Sequence, residues 1–303
     1  MDFINTYMAQ CRKEGLLVLY AQMRQGGQVT EEYQVCPKKT RLNAMSVSKS
    51  FVSAAVGIAE REGLIRLDEK ICDAFPEYVS EDANEYLLQT TLTDMLTMTT
   101  GLESSLFFAD WPERYQVKDW IDYFFHASFD HPSGERFLYS NFNTYMLCAL
   151  IEKRAGVNLL EYLRDRLFEP IGIGNPDWTL CPKGHCYAAN GLYLTIDELG
   201  WFGELLLRNG EWNGKSIISA EYLKKATTKQ VETAPYRKDA QEAFGYGYQF
   251  WMTALPNTFL CSGNYGQYCL VMPEKDIVLS VMSFEGNRHK EVRNQLIALA
   301  KEL

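Results

Sequence analysis

Hydrophobic residues recur with helical spacing at both ends of the chain. This pattern predicts amphipathic helices over residues 2–14 and 289–303. The apolar face of the first helix would consist of Phe3, Ile4, Tyr7, Met8 and Cys11. The apolar stripe of the last would consist of Val292, Leu296, Leu299 and Leu303. Each end of the chain therefore carries a helix with one face to bury.

Short apolar runs lie next to these terminal helices and predict strands. Residues 16–21 and 29–35 are joined by a Gly-Gly turn, and residues 267–272 and 277–283 by a Pro-Glu-Lys-Asp turn, so each pair predicts a β-hairpin. The aromatic and glycine-rich residues 244–251 predict an edge strand. We infer an antiparallel sheet built from both ends of the chain, with the first and last helices on one face.

The middle of the chain is mainly helical in pattern. Helices are predicted over residues 94–99 (capped by Thr93), 118–127, 141–155 and 158–167, and from the capping box at Thr195 to Gly210. We therefore predict an α+β protein in which residues 1–70 and 240–303 form an α/β lobe. Residues 71–239 would form a mainly helical lobe, with the active site in the cleft between the two.

Composition narrows the possible partners. The chain has 303 residues and a formal net charge of −9, which disfavours nucleic acid and anionic membranes as partners. No apolar run is long enough to span a bilayer, and the first residues lack the pattern of a signal peptide, so we expect a cytoplasmic protein.

The eight cysteines are scattered and predict reduced thiols, most of them in the core. The only cluster with metal-ligand chemistry is Cys181, His185 and Cys186. Its spacing matches no zinc pattern and a second ligand pair is missing, so we predict a loop with incidental thiols and no metal.

Ser46 and Lys49 are the first candidates for catalysis. They stand three residues apart at the start of a predicted helix that ends near Glu62, so their side chains would be neighbours. A solvated helix start capped by serine is the simpler interpretation. However, the flanking residues are mostly small or apolar, which predicts a buried Lys49. Burial lowers the pKa of a lysine, and a neutral amine can activate a serine hydroxyl.

Two further stretches carry polar groups suited to such a site. Tyr139 and Asn141 stand at the head of the helix over residues 141–155, where Tyr139 could shuttle a proton and Asn141 could bind Lys49 or substrate. A tyrosine at a helix entry with an asparagine cap is the alternative interpretation.

The stretch Cys261, Ser262, Gly263 and Asn264 precedes an apolar strand. Its glycine would allow close approach of the backbone, and the strand edge could donate an N–H to an oxyanion beside the Ser46 N–H. On its own the stretch would be only a turn before a strand.

Together, these motifs resemble those of the serine β-lactamase-related family, in particular its class C, penicillin-binding-protein-like, esterase and D-peptidase branch. The resemblance covers nearly the whole chain and extends to residues 94–102, 190–195 and 266–268. It implies a β-lactamase/transpeptidase-like fold and an acyl-enzyme on Ser46, with Lys49 and Tyr139 sharing the role of general base. The N–H groups of Ser46 and Asn264 would form the oxyanion hole. No metal or organic cofactor is implied.

One departure from the family pattern affects the substrate. The third motif usually begins with a lysine that helps bind a substrate carboxylate, or with histidine or tryptophan in esterase-like members, whereas this chain has Cys261. We therefore predict a serine hydrolase of small esters, amides or short peptides, with β-lactamase or D-alanyl peptidase activity as the alternative. Asn287 and Arg288 are candidates to replace the missing charge. A non-catalytic relative that binds a ligand or peptide is the alternative from another class.

Overall fold

The structure is a computed structural model that describes residues 2–106, 114 and 116–303. Its strands are β1 (Val18–Gln25), β2 (Gln28–Gln34), β3 (Leu42–Asn43), β4 (Tyr193–Leu194), β5 (Glu211–Trp212), β6 (Lys215–Ser216), β7 (Trp251–Met252), β8 (Phe259–Gly263), β9 (Gln267–Met272) and β10 (Ile277–Ser283). Its helices are α1 (Phe3–Lys13), α2 (Ser48–Arg61), α3 (Ile71–Ala74), α4 (Leu92–Thr97), α5 (Trp120–Phe125), α6 (Asn141–Ala155), α7 (Leu159–Leu163), α8 (Glu169–Ile171), α9 (Ile196–Leu207), α10 (Ala220–Ala226) and α11 (His289–Ala300). No helix in these described ranges has the length and apolar character needed to cross a membrane.

The main sheet is antiparallel, with six strands in the order β2-β1-β10-β9-β8-β7. The first and last parts of the chain meet where β1 pairs with β10, with Ala21 opposite Val281. Every residue of β9 and β10 is buried, because both faces of the sheet are covered. The prediction of one antiparallel sheet built from both ends of the chain is confirmed.

The two faces of the sheet are covered by different helices. α1 and α11 pack on one face, where they bury alternate residues such as Leu279 and Val281. α9 packs on the other face, where it meets Val278. A Cβ on Gly203 of α9 would lie 2.5 Å from Cγ1 of Val278, so glycine is needed for this close approach. The placement of the first and last helices on one face is confirmed.

The remaining helices form a second layer behind α9. α6 is buried on all sides from Asn141 to Glu152 and packs against α2. One hydrophobic core runs from the sheet through α9 and α2 to α6. The structure thus mixes the two sequence ranges that we assigned to separate lobes: α2 packs among the central helices, and α9 packs on the sheet.

Three local predictions differ from the structure in detail. α4 begins at Leu92 and is capped by Thr91, so Thr93 lies inside the helix. In this capping box the Thr91 side chain accepts from the Asp94 N–H, and the Asp94 side chain accepts from the Thr91 N–H. The helix predicted over residues 158–167 is α7 followed by a π-helical turn.

The third difference concerns residues 244–251, of which only Trp251 pairs as a strand within the sheet. Gln249 has a φ of 67°, outside the strand region. Its side-chain amide instead donates to the carbonyls of Met95 and Leu96 at 3.1 and 2.9 Å. Tertiary hydrogen bonds to α4 therefore override the strand pattern of this stretch.

Candidate active site

Ser46 stands in a 3₁₀ turn, Met45–Val47, that leads directly into α2. The short pair β3–β4 and a 2.8 Å bond from Ala44 N to the Leu192 carbonyl fix the chain just before it. Met45 has a φ of 51°, a left-handed conformation that is strained for a residue with a side chain. Its N–H donates to Asn43 Oδ1 at 2.8 Å, which helps to hold this conformation. The backbone is thus bent sharply at the residue before the candidate nucleophile.

Lys49 lies one helical turn after Ser46 and is only 1% exposed. Its Nζ lies 3.1 Å from Ser46 Oγ, 2.7 Å from Asn141 Oδ1 and 2.9 Å from the Ala189 carbonyl oxygen. Burial holds the pKa of Lys49 well below its usual range. The structure thus places a buried amine beside the serine hydroxyl.

The two oxygens from Asn141 and Ala189 determine what the amine can do. A neutral amine has two hydrogens and one lone pair, and a carbonyl oxygen can only accept a hydrogen bond. Asn141 Oδ1 and the Ala189 carbonyl therefore take the two hydrogens. The lone pair is left facing the Ser46 hydroxyl, which is the arrangement that a general base requires.

Tyr139 lies two residues before α6 and lines the same cleft as Ser46. Its ring lies over the Lys49 Nζ, with 4.9 Å between Nζ and the ring centroid. Burial raises the pKa of Tyr139, although a hydrogen bond with Ser46 lowers it, and the charges of Glu242 and Arg237 act in opposite directions. Burial is the largest influence on the pKa of both Lys49 and Tyr139. The phenol is therefore neutral near neutral pH and able to donate.

The Asn141 amide also binds Tyr187, a residue that the sequence did not predict for this site. Asn141 Nδ2 donates to the hydroxyl of Tyr187 at 3.2 Å. Tyr187 is buried, two residues before the Ala189 carbonyl that binds Lys49. The nearby stretch 190–195 was noted only for its family resemblance, and no local pattern indicates a role for Tyr187.

The third motif is divided between the cleft and the core. Ser262, Gly263 and Asn264 line the same cleft as Ser46, Tyr139 and Asn141. Cys261 is fully buried and lies opposite Cys269 in the neighbouring strand, with the two thiols in contact. The structure therefore does not place the Cys261 side chain where it would touch a substrate.

Gly263 allows the end of β8 to pass close to the nucleophile. A Cβ at this position would lie 2.6 Å from the Ala44 carbonyl oxygen and 3.1 Å from Ser46 N. Such a distance to a backbone atom would force one chain segment to move. The absence of a side chain thus lets the backbone of Gly263 lie beside the N–H of Ser46.

The opposite side of the cleft is charged. Arg237, Glu242, Lys290 and Arg293 line it, and Asp239 lies behind them. Arg293 is 2% exposed and binds Asp239 at 2.7 Å and Glu242 at 3.4 Å. Arg237 Nε donates to Glu242 Oε2 at 2.7 Å. Three cations and two carboxylates thus form one network across the loop after α10 and the start of α11.

This network corrects our hypothesis about Asn287 and Arg288. Arg288 binds Glu291 and the Glu14 carbonyl on the surface, and neither residue lines the cleft. Arg237, Lys290 and Arg293 line the cleft instead, and no pattern in the sequence indicates that they lie together.

The cysteine cluster shows no metal-binding geometry in the part of the chain that the structure describes. No three His, Cys, Asp or Glu side chains there converge as metal ligands would. His185 Nδ1 instead lies 2.6 Å from Glu152 Oε2, and Glu152 also accepts from the backbone N–H of Cys186. The carboxylate therefore anchors this loop to α6.

Comparisons with known proteins agree with this fold. An uncharacterized protein of Alkalihalophilus pseudofirmus is 25% identical over 311 residues, covering 90% of this chain and 85% of that protein. A Bacillus anthracis protein provisionally named a 6-aminohexanoate-dimer hydrolase superposes with a TM-score of 0.81 at 21% identity, covering 97% of this chain and 81% of its own.

EstCE1, a hydrolase with promiscuous acyltransferase activity, superposes with a TM-score of 0.78 at 16% identity, and 97% of each chain is covered. At such low identities these two structures show a shared fold. The beta-lactamase family model matches residues 2–302, which is almost the whole sequence. The chain therefore belongs to the beta-lactamase family and has the fold of its serine hydrolases.

Proposed function

We propose that the protein is a serine hydrolase that acts through an acyl-enzyme on small esters or amides. The observation that carries this proposal is the Lys49 amine, buried 3.1 Å from Ser46 Oγ, with its two other neighbours able only to accept. A lysine kept from water without a counter-charge is suited to take a proton rather than to hold one.

The chemistry follows from these positions. Ser46 Oγ attacks the substrate carbonyl carbon while its proton passes to Lys49 Nζ. The N–H groups of Ser46 and Asn264 stabilise the negative oxygen that develops. The bond to the leaving group then breaks, and the neutral phenol of Tyr139 supplies a proton to the departing oxygen or nitrogen. Lys49 returns the proton to Tyr139, and water later releases the acyl group by the reverse sequence.

Two features support a small substrate. The cleft beside Ser46 offers only about 200 Å³, less than the roughly 300 Å³ at which drug-sized pockets begin. Two proteins of similar fold are named as a 6-aminohexanoate-dimer hydrolase, provisionally, and as a hydrolase with promiscuous acyltransferase activity. The proposed chemistry requires neither a metal nor an organic cofactor.

The charged side of the cleft favours a second candidate, a β-lactamase or D-alanyl peptidase. Arg237, Lys290 and Arg293 could attract the substrate carboxylate that a lysine at position 261 usually helps to bind. Their charges are largely offset by Asp239 and Glu242, so we rank this candidate second. The ranking is tested by comparing nitrocefin with short p-nitrophenyl esters. Faster turnover of nitrocefin would reverse it.

The hydrolase proposal is tested by incubating the protein with a fluorophosphonate and measuring its intact mass. We expect one adduct on the wild type and none on Ser46→Ala. p-Nitrophenyl acetate should be turned over by the wild type alone. If the wild type shows neither an adduct nor Ser46-dependent turnover, the alternative of a non-catalytic, ligand-binding relative replaces this proposal.

A further inference from the structure

Residues 187–189 contact Lys49 both directly and through Asn141. The Ala189 carbonyl binds Lys49 directly, and Tyr187 binds Asn141, which is the other acceptor. Between them, buried Ala188 has a φ of 65°, a left-handed conformation that is unfavourable for alanine. This strained turn lets the carbonyl of one residue and the side chain of its near neighbour reach the same site.

The hydroxyl of Tyr187 is fixed by several contacts. It accepts from Asn141 Nδ2 at 3.2 Å and from Arg114 Nη1 at 3.3 Å. Its ring packs edge-on against Trp120, with 5.2 Å between centroids. Its backbone N–H donates to the Thr179 carbonyl at 2.8 Å. The oxygen is therefore held in place as an acceptor for the Asn141 amide.

The orientation of that amide decides where the lone pair of Lys49 points. With Oδ1 towards Nζ, the amide takes a hydrogen from the amine and the lone pair faces Ser46. With the amide rotated by half a turn, Nδ2 would donate to the lone pair instead, and Ser46 would lose its base. The two orientations fill nearly the same space, so packing alone distinguishes them poorly.

We propose that Tyr187 is a positioning residue that keeps the oxygen of the Asn141 amide turned towards Lys49. Tyr187 accepts from Nδ2 and, with Arg114 donating to the same oxygen, disfavours a rotated amide that would bring Oδ1 against it. The inference rests on the proposed role of Lys49 as the base.

In the part of the chain that the structure describes, Lys49 faces Ser46, Asn141, the Ala189 carbonyl and the ring of Tyr139. Tyr139 in turn faces Arg237 and Glu242. Tyr187 faces Arg114 and Trp120 and shares a surface groove with Cys181. Of these, the guanidinium of Arg114 stays charged throughout the accessible pH range. A change in pH dependence on removing the Tyr187 hydroxyl would therefore report on Lys49 or Tyr139.

The test compares Tyr187→Phe with a matched control, Tyr145→Phe. Tyr145 packs against the same Trp120 at 5.3 Å, but its hydroxyl donates to Cys181 Sγ and not to the Asn141 amide. The rate of fluorophosphonate labelling of Ser46 is measured against pH for the wild type and both variants. Both substitutions keep the ring, so packing changes little.

For Tyr187→Phe we expect the plateau rate to fall about 10- to 100-fold, part of the roughly 10²–10⁴-fold that positioned proton transfer contributes. The ascending limb should also move to lower pH, because a rotated amide no longer stabilises the ammonium form. A purely structural role would lower the rate without moving the limb. In an Asn141→Leu background, Tyr187→Phe should have no further effect.

A second measurement does not depend on activity. The Lys49 Cε resonance, assigned by its loss in Lys49→Met, is titrated by ¹³C NMR in lysine-labelled wild type and both variants. We expect the midpoint to fall in Tyr187→Phe and to stay unchanged in Tyr145→Phe. An unchanged midpoint in Tyr187→Phe, or an equal shift in Tyr145→Phe, would overturn the inference. Absence of Ser46 labelling in the wild type would overturn the proposed function instead.

Discussion

Each of two sides of the cleft buries a basic side chain, one among uncharged groups and the other against carboxylates. On the neutral wall (Ser46, Lys49, Tyr139 and Asn141), burial is the cause of the lowered pKa of Lys49. The three atoms within hydrogen-bond distance of its Nζ are oxygens of uncharged groups. On the charged wall (Arg237, Asp239, Glu242, Lys290 and Arg293), the equally buried Arg293 binds two carboxylates.

The difference separates residues proposed to take part in the reaction from residues that hold the fold together. A buried cation with counter-charges stays charged and ties two segments together, although it contributes little net stability. A buried amine without them is driven towards its neutral form, which costs stability but yields a base. We therefore expect substitutions on the neutral wall to change rates and pH profiles, and those on the charged wall to change mainly stability.

The largest effect should come from giving Lys49 the counter-charge that it lacks. In Asn141→Asp, a carboxylate beside Nζ should raise the pKa of Lys49 by about 1–3 units. At a pH on the ascending limb, below both pKa values, labelling of Ser46 should then fall about 10- to 1,000-fold, since each unit of pKa changes the neutral fraction tenfold in that range. The ascending limb of the pH–rate profile should move to higher pH.

Asn141→Leu is the control for this substitution, because it removes the acceptor without adding a charge. It should lower the rate but leave the limb at or below its original pH. If Asn141→Asp showed the wild-type limb, the view that Lys49 acts as an uncharged base would be wrong.

The next effect tests the geometry of the neutral wall rather than its charge. In Gly263→Ala, the new Cβ would lie 2.6 Å from the Ala44 carbonyl oxygen, so β8 and the Ser46 turn must separate. A displacement of about 1 Å can cost on the order of 100-fold in rate. Steady-state hydrolysis of p-nitrophenyl acetate should show this loss, mainly in kcat.

Gly174→Ala is the matched control, since a Cβ at Gly174 meets no atom within 4 Å. It should retain wild-type kcat. Equal rates for the two alanine variants would mean that the end of β8 does not contribute to the oxyanion site.

Much of the fold was predictable because its signals are local. The apolar face of α1, the two hairpins and the capping box at Thr195 are each written in a few neighbouring residues. The burial of Lys49 was also predictable, since its neighbours in sequence are apolar.

What could not be predicted depends on contacts between distant segments. Tyr187 binds Asn141 at the start of α6, and Arg293 binds a loop more than fifty positions earlier in the chain. Cys261 has the side-chain chemistry of a site residue, but strand alternation turns it away from the cleft. The strained φ of Met45, which follows the β3–β4 pairing, likewise could not be predicted from neighbouring residues.

On the charged wall, Glu242→Gln should affect stability more than rate. The substitution removes a carboxylate shared by Arg237, Lys290 and Arg293, and we expect a loss of about 2 kcal/mol, typical of a hydrogen bond to a charged group. Thermal unfolding measures this loss. The rate at neutral pH should change little, although the alkaline limb should move to lower pH because Glu242 raises the pKa of Tyr139.

The exposed Glu232, paired only with Lys229 on the same loop, provides the control. Glu232→Gln should leave the free energy of unfolding within about 0.5 kcal/mol of the wild-type value, as for most surface substitutions. A large loss of rate in Glu242→Gln without a loss of stability would contradict the division of roles between the walls.

The last effect concerns how the stability cost of Lys49 depends on pH. The folded-state pKa of Lys49 is lowered and the unfolded value is about 10.4, so between these two the unfolded chain binds more protons than the folded one. The stability cost is therefore fully present below the folded pKa and disappears as the pH rises to the unfolded value.

The Lys49→Met variant lacks this pH-dependent contribution to stability. Whatever the offset between the two proteins near neutral pH, their difference should shift in favour of the wild type by up to about 1.4 kcal/mol per pH unit within that window. Melting temperatures of both proteins from pH 7 to 10 measure this shift, and a constant difference would mean that Lys49 remains protonated, as Arg293 does on the opposite wall.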